Sequence, residues 1–118
     1  MQVQGALAAV GDQVALDVRL HAVAYIHVKG GAVNAVGFTG QFEASLDSTN
    51  GVDGSWFSVR LLRSNATTQE TNTTALAVNA GTPLAYAWSA SVQGLMWLRV
   101  RASALTSGDV IATINALG

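Results

Sequence analysis

Gly94-Leu-Met-Trp-Leu-Arg-Val-Arg-Ala-Ser-Ala-Leu-Thr-Ser-Gly-Asp-Val-Ile-Ala-Thr-Ile-Asn-Ala116 decides the fold class of this chain. Met96, Leu98, Val100 and Ala102 fall on one side of an extended strand, and Trp97, Arg99, Arg101 and Ser103 on the other. Such alternation marks a strand with one buried and one wet face. A turn at Ser107-Gly108 follows, after which Val110, Ala112, Ile114 and Ala116 share one face of a second strand. The two strands are expected to form a hairpin that closes a β-sandwich.

The same period runs back toward the N-terminus. Gln13 to Val18 and Ala22 to Lys29 read as strands, the second with Ala24, Ile26 and Val28 on one face and Tyr25, His27 and Lys29 on the other. Residues 30–40 are rich in Gly, Ala and Val, with weak periodicity. Gln41 to Asp47 alternates, Phe42, Ala44 and Leu46 inward and Gln41, Glu43, Ser45 and Asp47 outward. Asn50-Gly51 and Asp53-Gly54 then mark a turn-rich loop, because both dipeptides favour positive φ. Ser55 to Leu62, Thr73 to Asn79 and Pro83 to Ser91 complete the set, with Pro83 at a strand start where its missing donor does least harm. Leu84, Tyr86 and Trp88 are expected on a core face. Trp56 and Phe57 are adjacent on a strand and must point to opposite sides, one into the core. No apolar period of 3.6 persists long enough for a helix; Gly5 to Val10 is the best, short candidate. The expectation is all-β: a single antiparallel β-sandwich, jelly-roll-like, of about eight strands. It would span residues 12–118, and residues 1–11 form either an arm reaching a neighbour or a frayed terminus.

Composition narrows the function. Only 11% of the 118 residues are charged, against a usual share of about 25%. A surface so poor in charge is either rich in Ser, Thr, Asn and Gln or partly covered by another subunit. Seven acidic and six basic residues leave a net charge of −1 with no basic run, which argues against nucleic acid as a partner. There is no cysteine, hence no disulfide or thiolate site. The apolar stretch near the N-terminus has no basic residue before it, so a chain made in the cytoplasm is expected. No apolar run approaches the roughly 20 residues that span a bilayer. The sequons at Asn65 and Asn72 read as Thr-rich loop.

Catalytic material is sparse. His21 and His27 lie six residues apart, about 20 Å along an extended strand, too far for one metal site without another element. The loop from Asp47 to Asp53 offers several oxygens near glycine but lacks the closing glutamate of a calcium loop. No nucleophile elbow, phosphate loop or dinucleotide fingerprint is present, and the chain is expected to be a non-enzyme without cofactors. Trp97, on the polar face with Arg99 and Arg101, is either a surface indole stacked by arginine or a subunit-interface anchor. Trp56, Trp97, Arg99 and Arg101 are therefore the interface candidates.

Phe42-Glu-Ala-Ser-Leu-Asp47, Ser55-Trp-Phe-Ser-Val59, Gly94-Leu-Met-Trp-Leu-Arg-Val-Arg101 and Thr106-Ser-Gly108 together resemble a virion module of tailed bacteriophages. In that module an E-x-S-x-D hairpin with a following Trp precedes a G-L-x-x-x-R-V-R strand and an S-G turn. The resemblance covers roughly residues 40 to 117; the loop from Asp47 to Trp56 is longer than in the usual form. It implies a structural protein located in the virion. The leading expectation is a capsid decoration protein on the outside of the head, a homotrimer whose partner is the major capsid protein. The second is a tail-fibre or baseplate module binding host glycan through Trp56, Trp97 and the polar loop 47–54.

Overall fold

Alternating polarity turns nearly the whole chain into extended segments. The computed structural model describes residues 1–64, 66–81 and 85–118. Among these residues there are eleven β-strands and no helix: β1 Gln2–Leu7, β2 Gln13–Asp17, β3 Val23–Gly30, β4 Ala35–Ser45, β5 Trp56–Ser58, β6 Leu61–Arg63, β7 Gln69–Glu70, β8 Leu76–Val78, β9 Ala85–Ser91, β10 Trp97–Ala104 and β11 Val110–Leu117. One sheet has the order β1-β11-β3-β9-β6-β7, the other β2-β10-β4-β5, with β8 also pairing β4. All pairings are antiparallel. With β6, β7 and β8 set aside and the remaining eight strands counted along the chain, the orders are 1-8-3-6 and 2-7-4-5. That is the double Greek key of a jelly roll, in which both edges of a closed sandwich are reached by strands that change sheet.

The core is the layer between the sheets. Ala24, Ile26 and Val28 of β3 and Val110, Ala112 and Ile114 of β11 face Phe42 and Ala44 of β4 and Leu98, Val100 and Ala102 of β10, and all of them are buried. Trp88 fills the middle, its ring centroid 5.2 Å from that of Phe42. The inner positions of both terminal strands are the ones the alternation assigns.

Their pairing is not. β10 lies between β2 and β4, and β11 between β1 and β3, so the expected hairpin is instead a crossing from one sheet to the other. The link 105–109 docks on the β3–β4 loop and the start of β4: Thr106 N–H donates to Val36 O at 2.9 Å and Val36 N–H to Ser107 O at 3.0 Å. The Asp109 carboxylate accepts from the N–H groups of Ala32 and Val33. Leu105 packs against the core, which a residue at a hairpin tip would not do.

Other expectations shift for similar reasons. Within residues 1–11, read as either an arm or a frayed terminus, Gln2–Leu7 lies along β11 as edge strand β1, with Leu7 buried, and the Asp12 carboxylate holds the turn after it by accepting from Ala8 and Ala9 N–H. Residues 35–40 of the Gly- and Ala-rich stretch belong to β4, which ends at Ser45; Ser45 is buried and Leu46 exposed, the reverse of the alternation. The Ser45 hydroxyl accepts from the N–H groups of Asp47 and Ser48, so the chain turns there. The strand read from Ser55 to Leu62 is two strands in different sheets, broken at Val59-Arg60. Trp56 is half-buried and Phe57 exposed, so neither enters the core: β5 is an edge strand with no second layer closing over it. Trp88 is in the core as expected, whereas Tyr86 is exposed near the strand end. The strand start at Pro83, Leu84 and the sequon at Asn65 lie outside the described residues.

Candidate functional site

On the outer face of the five-stranded sheet, β10 projects Trp97, Arg99 and Arg101. The register sets Trp97 between Asp17 and Ser45, Arg99 between Ala15 and Glu43, and Arg101 between Gln13 and Gln41. Side chains directly across an antiparallel pair share a face. β5 then pairs with β4 so that Trp56 stands opposite Ser45. All four interface candidates therefore meet on one face.

Glu43, which sequence reasoning left out of the set, is its hub. Its Oε1 accepts from Arg99 Nε at 2.9 Å and from Arg101 Nε at 3.0 Å, and its Oε2 from Arg101 Nη2 at 3.2 Å. The Glu43 and Arg99 side chains are 13% and 11% exposed, and that of Arg101 is 34% exposed. Burial alone would raise the Glu43 carboxyl pKa; the hydrogen bonds and charges of Arg101 and Arg99 outweigh it and hold the pKa below its ordinary value. Glu43 in turn raises the Arg101 pKa. One signal could have found this residue: in a chain so poor in charge, two outward arginines on a central strand need an acid on a neighbour.

The long loop folds back over this face. Arg99 Nη1 donates to Gln13 Oε1 at 2.8 Å, and Gln13 Nε2 donates to Gly51 O at 2.7 Å. Gly51 has φ +85°, and a Cβ there would meet the Trp97 ring at 2.7 Å, so only glycine fits against the indole. Trp56 Nε1 donates to Asp53 O at 2.9 Å. Within the loop the Asp53 carboxylate accepts from Thr49, from Ser48 Oγ and from Asn50 N–H. The Thr49 hydroxyl and N–H, followed by the Ser48 hydroxyl, hold its pKa at about 2. The Asp47 carboxylate accepts from Ser45 Oγ and Ser55 N–H. These carboxylates are turned onto the loop's own donors, and no cluster of three or more metal-ligating side chains occurs among the described residues.

Arginine stacking occurs, but on Trp56: the Arg99 guanidinium carbon lies 3.9 Å from that ring's centroid. Trp97 is half-buried, with Gly51 packed close against its six-membered ring. The assembled face is a cross-linked lid: the single positive charge left over by Arg99, Arg101 and Glu43 is offset by the exposed loop carboxylates of Asp47 and Asp53, and Arg101 is the more open of the two arginines. The two histidines are elsewhere. His27 lies on the outer face of the six-stranded sheet, its pKa lowered by burial and then by Lys29. His21 lines an open hollow of about 430 Å³ with Met1, Asp17, Arg19 and Leu20.

No family model and no curated protein sequence matches the chain. Two solved structures share its fold. SPBc2 prophage-derived protein YomS superposes with a TM-score of 0.66 at 12% identity, over 98% of this chain and 95% of that one. PBSX exported protein XepA also gives 0.66, at 16% identity over 98% of this chain, which spans only 38% of that longer protein. The jelly roll read from the strand order is thus the fold of a prophage-derived protein along nearly the full length of both chains.

Proposed function

We propose that the protein is a non-enzymatic building block of a bacteriophage particle. In this reading it is a decoration protein that binds the outside of the head in many copies and stabilises the lattice through contacts with the major capsid protein. The observation that carries the reading is the overlap in fold with a prophage-derived protein over 98% of this chain and 95% of that one. Jelly rolls recur in viral capsid and lectin domains, an analogy at the level of fold that suits both readings considered above.

The geometry favours a building block over glycan recognition. Sugar stacking needs an open aromatic face, and the two tryptophans expected to supply one are half-buried, Trp56 stacked by the Arg99 guanidinium and Trp97 packed closely by Gly51. The charge distribution also suits packing in a lattice. Arg19, Arg63, Arg99 and Arg101 are held in ion pairs, which leaves Lys29 and Arg60 outside them among the described residues. Two dispersed cations are too few to track a phosphate backbone. Along β1, β11, β3 and β9 the outward positions carry a single charged side chain, Lys29, so one broad face has little to desolvate when a partner covers it.

Immunogold electron microscopy on particles from the source tests this reading. Label distributed over heads is the expected result. Label confined to a tail end would move the protein to the tail-fibre or baseplate reading, and unlabelled particles would overturn both.

A further inference from the structure

The two sheets end in strands β1, β7, β2 and β5, with β8 as a side branch on β4. Exposed edges invite pairing with other chains, and folded proteins blunt them with brevity, charge, proline or bulges. β5 and β8 have three residues each and β7 has two. β2 is preceded by Asp12 and ends at Asp17, which is paired with Arg19. β1 has none of these devices. It is six residues long and regular in register, and residues 1–11 contain no charged side chain and no proline.

Which groups β1 presents follows from its ladder. Met1 N donates to Ala116 O and Ala116 N–H to Met1 O, so Met1 and Ala116 form a hydrogen-bonded pair. In an antiparallel ladder such pairs alternate, so Val3, Gly5 and Leu7 bond β11 while the N–H and C=O groups of Gln2, Gln4 and Ala6 project away from it. All three of these residues are exposed.

We propose that β1 is a self-pairing edge, and that its occupant is β1 of a second copy, antiparallel across a two-fold axis through Gln4. In that register Gln4 faces its own copy and Gln2 faces Ala6, so every outward N–H and C=O of the strand finds a partner. Val3, half-buried, comes opposite Gly5, where no second bulky side chain competes for the space. No like charges are opposed. The two six-stranded sheets become one, and their charge-poor outer faces become continuous. The pairing is independent of the virion reading, because a chain can dimerise this way wherever it resides.

Sedimentation velocity of the full chain over a concentration series tests it. The wild type is expected to approach twice 12.2 kDa. Gln4→Pro removes only an outward N–H and spares the β11 ladder, so it should weaken association roughly 30-fold or more with the melting temperature little changed. Gln4→Lys and Gln4→Glu should each be monomeric alone and dimerise when mixed, which keeps the test valid should the proline variant misfold. A wild type that stays monomeric up to about 100 µM, or a Gln4→Lys variant that associates like the wild type, overturns the proposal. So does dissociation by Tyr25→Lys but not by Gln4→Lys, which would place the contact on the sheet face instead.

Discussion

Glu43 joins two arginines that would otherwise repel each other on the middle of a sheet. Removing its charge leaves both guanidiniums partly buried and unpaired, and hydrogen bonds to charged groups are worth about 1.5–3 kcal/mol. Glu43→Gln should therefore destabilise the protein by about that much, read from urea unfolding; a change within about 0.5 kcal/mol would mean the cluster is ornamental. Acid should act through the same residue. The folded pKa of Glu43 lies below its ordinary value of 4.5, so the folded state holds fewer protons than the unfolded state in that range. The stability it contributes is complete above the unfolded pKa and is lost as pH falls through the folded one. Asp53, lowered from 3.8 to about 2, extends the loss from about pH 4 down to pH 2. Wild-type melting temperatures should fall through this range, and the Glu43→Gln variant should lose less over the upper part of it. Arg99 and Arg101 were legible as an outward pair from alternation alone; the identity of their acid was not, because cross-strand register is set by the whole sheet.

At the scale of elements, alternation reports which side of a strand is buried and is silent on which sheet the strand joins. Leu98, Val100 and Ala102 and then Val110, Ala112 and Ile114 were readable as inner faces, and the structure places them there. In a sandwich, however, two consecutive strands bury their faces equally well as neighbours or across the core, and here they lie across it. The legible clue was Leu105, an apolar residue in a connection that a hairpin would expose. Val59 marks the second hidden crossing, between β5 and β6, in the same manner. Gly108 makes the first one possible: its φ is +81°, and a Cβ there would meet Asn34 O at 1.9 Å. Gly108→Ala must move backbone as well as adopt a strained φ, so it should cost more than about 2 kcal/mol, visible as a large drop in the denaturation midpoint. A variant as stable as the wild type would contradict the docking of this link on the β3–β4 loop.

The whole molecule explains the scarcity of charge in the sequence. Four of six cationic side chains are held in ion pairs, and along β1, β11, β3 and β9 one sheet turns outward mainly Gln, Thr, Asn, Tyr, Ser, Ala and the aliphatics Val23, Ile111 and Leu117, with His27 and the single charge of Lys29. Composition foretold a chain that covers its surface with neutral polar groups or with a partner, and the neutral polar groups are found on this sheet. The class of fold was legible because period 2 dominates the chain. The proposed place in a particle was not, because strand alternation says nothing about what the charge-poor face meets. The most direct measurement is quantitative mass spectrometry of gradient-purified particles from the source. A structural component of the head is expected at a fixed ratio to the major capsid protein, unchanged by repeated banding. A protein that stays in the soluble fraction, or whose ratio falls with each round, would contradict the virion reading.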